Sequence, residues 1–190
     1  MTTGADNLDA HARLLNALRE HALVIGEVTL TSGAVAQYLV DAKRAILLRQ
    51  GFMALGELVA AQAAQWGATA VGGMTMGADP IACAALAGGA DVKAFFVRKE
   101  AKGHGLARRI EGPLLTGADR CMLVEDVVTT GGSTLRALAA LREEGHQVCG
   151  VLVVCDRLAG GAEAISSAAG VPYTALTTID EVYPGRPDRS

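Results

Sequence analysis

The stretch from Arg120 to Leu135, RCMLVEDVVTTGGSTL, constrains the fold more than any other part of the chain. An apolar run from Cys121 to Val124 is short enough for a buried strand. It ends in two adjacent carboxylates, Glu125 and Asp126, and after Val127 and Val128 come Thr129, Thr130, Gly131, Gly132, Ser133 and Thr134. The paired glycines accept backbone conformations that a Cβ would block. Ser133 or Thr134 then caps a helix that runs on through Leu135, Leu138 and Leu141. The predicted order is strand, acidic pair, small-residue loop, helix. Such a helix start offers unpaired amides and a partial positive charge to an anion, which suits a phosphate. The acids before it cannot also be phosphate ligands. At a strand end they suit sugar hydroxyls, or a divalent cation held through its waters. Phosphate, sugar and metal together suggest a ribose phosphate.

The same segment resembles the phosphoribosyl diphosphate (PRPP) binding motif of the type I phosphoribosyltransferases, in which hydrophobic residues precede an acidic pair and a TTGGS-like loop. The alternative is an ordinary strand-to-helix turn with solvated acids. The resemblance implies that Glu125, Asp126, Val127, Val128, Thr129, Thr130, Gly131, Gly132 and Ser133 bind PRPP, the acids on the ribose hydroxyls and Thr129 to Ser133 on the 5′-phosphate. It also implies Mg²⁺, held mainly through PRPP and water, with Glu125 and Asp126 as candidate ligands.

At 190 residues, 51% of them apolar, the chain can bury the core of one domain. Aromatics make up only 4%, so close packing of Ala, Val, Leu and Gly has to fill that core. A net charge of −3 gives no global field for nucleic acid or an acidic membrane, and any basic site has to be local. Cys83, Cys121, Cys149 and Cys155 show no metal-ligand or CxxC spacing, and read as buried reduced thiols of a cytoplasmic protein. No apolar run is long enough for a membrane span, and the polar start lacks the pattern of an export signal.

Along the chain, Leu8, His11, Leu14, Leu15 and Leu18 share one helical face over residues 8–21. Residues 22–43 read as a hairpin outside the main sheet. A helix from Gly51 or Phe52 to Trp66 leads to a short strand over 68–73. Gly72, Gly73 and Gly77 then form a loop whose amides can approach a ligand, with Asp79 and Pro80 as N-cap and first helical residue. A strand over 91–97 runs into RKEAKGHGLARRIEGPLLTG. This connection of about twenty residues is long for a compact domain. Five of the 17 Lys and Arg residues lie in it: Arg98, Lys99, Lys102, Arg108 and Arg109. A basic loop of this kind can close around a polyanionic leaving group and exclude water. A solvated charged loop is the alternative. The strand over 147–156 ends at Asp156 and Arg157, which puts a guanidinium at the sheet edge that carries the acid pair. A small helix over 161–169, a strand over 171–178 and a disordered PGRPDRS tail complete the reading.

Two further segments narrow the resemblance to orotate phosphoribosyltransferases. GEVTLTSGAVAQYLVDAK is similar to that family's hood over the base, and FxRKxxKxHG, present as Phe96, Arg98, Lys99, Lys102, His104 and Gly105, to its catalytic loop. This implies transfer of ribose 5-phosphate from PRPP to orotate in pyrimidine synthesis. Arg98, Lys99, Lys102 and His104 then meet the diphosphate, Lys102, Asp126 and His104 are catalytic, and Thr129 and Arg157 contact orotate. It further implies a homodimer whose mobile loop is shared between sites. Two departures stand out. Many family members carry lysine where this chain has Val24, and Tyr-Lys where it has Thr75 and Met76. Backbone amides around Gly77 are expected to replace the second cation. Alternatives are a phosphoribosyltransferase for another base and a PRPP-binding regulatory protein. The full basic loop and acidic balance disfavour the regulator. The expected fold is α/β: a mainly parallel twisted sheet flanked by helices, in one domain. It divides into an N-terminal helix and hood (about 1–45), a PRPP-binding core (about 46–180) and a tail.

Overall fold

The computed structural model describes residues 4–29, 35–100 and 109–189. Helix α1 (Gly4–His21) buries Leu14 and Leu18 of the predicted face together with Ala10 and Ala17, while His11 and Leu15 are half-buried. Strands β1 (Leu23–Thr29) and β2 (Val35–Val40) form the expected hairpin apart from the main sheet; its turn lies outside the described residues. A short helix α2 (Lys43–Ile46) precedes α3 (Arg49–Trp66), which Gly67 ends in the left-handed conformation at φ 60°. Then follow β3 (Ala70–Met74), α4 (Asp79–Ala87), β4 (Lys93–Val97), β5 (Ile110–Glu111), β6 (Arg120–Val128) and α5 (Gly132–Glu143). Strand β7 (Gln147–Asp156), α6 (Gly161–Ala169), β8 (Tyr173–Thr178) and α7 (Ile179–Val182) complete the chain.

The main sheet has six strands in the order β5-β4-β3-β6-β7-β8, parallel except for the edge strand β5. Both faces are covered, which is why the central strands are continuously apolar. Met122, Val124, Leu152 and Val154 pack with α1, α3 and α4, while Cys121, Leu123, Val151 and Val153 pack with α5 and α6. Chain order reverses between β3 and β6, since β3 leads through α4 to one side and β6 through α5 to the other. The loops beyond these two strands therefore diverge and leave a crevice at their carboxyl ends.

Several expectations need correction. Strand β6 does not end before the acids but runs through them to Val128, because β7 extends alongside and pairs Glu125 with Val153 and Val128 with Asp156. The basic connection is shortened by β5, which pairs Phe96 with Glu111 and Val97 with Ile110; two residues are too few to carry a strand pattern. Neither Ser133 nor Thr134 caps α5, whose N-cap is Gly131 at φ 80° with no side-chain bond, and Ala78 rather than Asp79 precedes α4. Cys83 is exposed and Cys149 half-buried, so only Cys121 and Cys155 are buried thiols. The tail is ordered through Arg189, with Arg186 bound to Asp180 at 2.8 Å and to Asp188 at 2.9 Å.

At the amino ends of the strands, Asp119 ties three of them together. Its carboxylate accepts from Lys93 Nζ at 2.8 Å, the Thr116 amide at 2.7 Å and the Thr69 hydroxyl at 3.0 Å. These bonds, that from Lys93 first, hold the buried Asp119 far below the usual carboxylate range. Asp119→Ala is expected to cost about 2–3 kcal/mol at pH 7, the usual scale for hydrogen bonds to a charged group. A depressed folded pKa gives stability that is complete above the unfolded value and lost as pH falls below it. Urea denaturation of parent and variant should therefore converge as pH drops below about 4. Equal stability at pH 7 would exclude this role.

Candidate active site

At the carboxyl end of β6, Glu125 and Asp126 are 5% and 9% exposed, a depth at which unpaired carboxylates are costly. Glu125 accepts from the Thr134 hydroxyl at 3.4 Å, and Asp126 from the Val127 amide at 2.8 Å. Asp126 also receives Lys43 Nζ at 2.9 Å, and the same ammonium lies 2.9 Å from Asp41. Burial alone would lower Lys43, but its bonds to Asp126 and Asp41 outweigh this and raise it. Burial first, and the neighbouring Asp126 charge second, push Glu125 well above the usual range for a carboxyl.

Beyond the acids, Val127, Val128, Thr129, Thr130, Gly131, Gly132 and Ser133 line one cavity of about 300 Å³ with Glu125, Thr134 and Arg136. The cradle opens onto the first turn of α5, where amides face outward. Gly131 is required twice over: its φ is 80°, and a Cβ there would sit 2.8 Å from Ile165 of α6. Asp126 does not line this cavity. It turns instead toward Gly77, where a Cβ would lie 2.5 Å from Asp126 Oδ1 and 2.8 Å from Glu125 Oε1. The loop after β3 can pass the acid pair only because residue 77 has no side chain.

Arg98 and Lys99, just past β4, line a second cavity of about 500 Å³ with Thr75, so the described start of the basic segment borders the Gly77 loop. Arg98 lies 3.5 Å from Glu111, and Arg109 donates to the carbonyls of Arg98 and Lys99 at 3.2 and 3.3 Å. Lys102 and His104 lie outside the described residues. Arg157 follows β7 and donates its amide to the Val128 carbonyl at 2.9 Å, next to Thr129. Its guanidinium stands 5.0 Å from the ring centre of Tyr38 and donates to the Tyr38 hydroxyl at 3.0 Å.

Three residues were missed by sequence reasoning. Arg136 was accessible, since it lies one helical turn beyond Ser133 and donates to its hydroxyl at 3.3 Å. Tyr38 and Lys43 lie in the hood segment that the resemblance singled out, but their partners, 119 and 83 residues away, had no signal in the sequence. Lys43 places a cation at the acid pair, although Val24, Thr75 and Met76 lack the lysines that the resemblance led one to expect. Among the described residues no grouping of three or more His, Cys, Asp or Glu could hold a metal. Glu125 and Asp126 supply hard oxygen donors of the kind magnesium shares with substrate phosphates and water.

No family model matches the chain. It is 48% identical over 183 residues to orotate phosphoribosyltransferase of Corynebacterium glutamicum (strain R), covering 96% of this chain and 98% of that protein. A crystal structure of Mycobacterium tuberculosis H37Rv orotate phosphoribosyltransferase in complex with Fe(III) dicitrate aligns with a TM-score of 0.82 at 41% identity, covering 92% of this chain and 99% of that one. The M. tuberculosis enzyme in complex with PRPP aligns at 0.78 and 37% identity, covering 91% and 98%. A relative of such identity, matched along nearly the whole of both chains, shows that this chain belongs to the orotate phosphoribosyltransferase family.

Proposed function

We propose that the chain transfers the ribose 5-phosphate group of PRPP to orotate, giving orotidine 5′-monophosphate and diphosphate in de novo pyrimidine synthesis. The observation that carries this reading is the buried acid pair standing directly before a phosphate-sized cradle on a helix start. Orotate N1 attacks C1′ as diphosphate departs, so positive charge grows on the ribose and negative charge on the leaving oxygen. Asp126 and Glu125 accept hydrogen bonds from the ribose hydroxyls. The amides and hydroxyls of Thr129 to Ser133, with Val127 and Val128 forming the wall, hold the 5′-phosphate, and Arg136 adds a charge there. Arg98, Lys99, Lys102 and His104 offset the charge on the diphosphate. Thr129 and Arg157 receive orotate, whose carboxylate matches a planar fork of donors. Mg²⁺, held through PRPP, water and the acid pair, supplies further neutralisation of the leaving group when bound. The protein works as a cytoplasmic homodimer whose basic loop serves the neighbouring site. Among the described residues no helix is long and apolar enough to cross a membrane.

The direct test is the fall in orotate ultraviolet absorbance on mixing protein, PRPP and Mg²⁺. Loss of absorbance only when PRPP is present supports the assignment. Orotate left untouched by a protein that still binds PRPP would transfer the reading to another base or to regulation.

The acid pair also predicts a proton linkage. Burial and the Asp126 charge raise Glu125 and so favour its protonated form, whereas ribose hydroxyls and a cation favour the carboxylate. Binding of PRPP with Mg²⁺ is expected to release protons and to tighten as pH rises, until the free protein is itself ionised. Calorimetry in two buffers of different ionisation heat measures this directly; identical heats would refute it.

A further inference from the structure

We propose that the C-terminal tail is part of the base site, in which Asp188, acting through Tyr38, positions the guanidinium of Arg157 for the substrate carboxylate. This rests on the assignment of Arg157 to orotate made above. Tyr38 lies on β2, is 3% exposed, and accepts a hydrogen bond from Arg157 at 3.0 Å. Its own proton goes to Asp188, both of whose oxygens lie 3.0 Å away. The bonds therefore run in one direction, from the guanidinium to the hydroxyl to the carboxylate. A negative acceptor at the end of such a chain polarises the hydroxyl and makes it a better acceptor for a cation.

Two residues of the C-terminal segment, Tyr183 and Asp188, meet this one tyrosine, and Arg186 holds Asp188 in place. Tyr183 packs edge-on against its ring at 5.3 Å and 83°. Arg186 grips Asp180 at 2.8 Å and Asp188 at 2.9 Å, so the tail is pinned to α7 rather than laid loosely over the hairpin. Hydrogen bonds from Arg186 and Tyr38 outweigh burial and keep Asp188 below the usual carboxylate range, so it is charged at neutral pH. Among the described residues, the other guanidinium nitrogens of Arg157 have no partner. One edge of the fork is thus fixed by protein and the rest is left for a ligand. A freely rotating arginine would lose its rotamer freedom on binding; one already held over a tyrosine face loses less.

The arrangement has a specific kinetic signature. Asp188→Ala and Tyr38→Phe should each raise KM for orotate about tenfold, the scale for a misaimed binding group. KM for PRPP and kcat should stay within about twofold, because neither residue lines the phosphate cradle. Asp188→Asn keeps an acceptor for the Tyr38 hydroxyl but not its charge, and should recover part of the loss. A purely structural tail would show no such split and no rescue. Unchanged orotate KM in Tyr38→Phe and Asp188→Ala, beside an Arg157→Ala variant whose orotate KM rises, would overturn the tail's role and leave the base assignment standing. An Arg157→Ala variant with unchanged orotate KM would overturn the base assignment itself. A fall in orotate KM in Asp188→Ala would mean that the tail competes with substrate, which also contradicts the proposal. Should the alanine variant fail to fold, Tyr38→Phe and Asp188→Asn carry the same test.

Discussion

Lys102→Ala is expected to lower kcat about a hundredfold or more while leaving KM for orotate near that of the parent. On the departing diphosphate, negative charge grows only as the bond to C1′ breaks. A cation that meets that charge stabilises the transition state more than the ground state, and removal of one such group costs about a hundredfold to a thousandfold. Arg98 and Lys99 lie where β4 ends, beside Thr75 and so next to the loop that passes the acid pair. The FxRKxxKxHG resemblance carries the same basic segment on to Lys102 and His104. Steady-state orotate consumption by parent and variant, with melting temperature as a check on folding, measures the effect. A loss smaller than about threefold would remove Lys102 from the catalytic set.

Replacing Lys43 by Met should be nearly as severe, through a different route. Two carboxylates buried side by side repel each other, and Lys43 meets one of them at 2.9 Å. Without it, the Asp126 charge is left uncompensated and Glu125, already raised by burial and by that charge, holds its proton more tightly, so fewer molecules present an ionised acceptor at the pair. The Lys43 side chain is 38% exposed, so water replaces part of what is lost, and a hydrogen bond to a charged group at about 1.5–3 kcal/mol is the fitting scale. That corresponds to a fall in kcat/KM for PRPP of roughly tenfold to a hundredfold. The acidic limb of its pH profile should move to higher pH, because losing a nearby cation raises carboxyl pKa values. Lys43→Arg keeps the charge and should restore most of the activity. A Met variant with an unshifted limb and kcat/KM within twofold of the parent would show that Lys43 is only a surface ion pair.

The contrast between these two lysines shows what the chain reveals in one dimension. Lys102 stands in a motif whose members are neighbours in sequence, as do the acids and the small residues that follow them. The cradle was legible for that reason: strand, acids, loop and helix occupy one continuous segment, and the structure gathers Glu125 and Val127 to Ser133 around one cavity. Lys43 and Tyr38 act on Asp126 and Arg157 only because α2 and the hairpin fold back over the sheet edge, and no periodicity records such a meeting. Local details failed for local reasons. A glycine in the left-handed conformation starts α5 without a side-chain cap, although serine and threonine stood ready. The tail reads as disordered from its Pro, Gly and charges, yet those same charges pin it.

The placement of the acid pair on β6 has a consequence for how such a protein can diverge. The strand is hydrogen-bonded on both sides and covered on both faces, so the acid pair and the cradle beyond it come apart only with the whole fold. The hairpin and the tail are attached at the rim by a few side-chain bonds, an edge-on pair of rings and the buried side chains of Tyr38 and Val40. On the proposed assignment of Arg157 to orotate, substitutions at the rim alter which base is accepted at less cost to folding than those on the strand, which put folding and activity at risk together. A lineage built on this plan can exchange one base for another while keeping a single way of gripping the sugar.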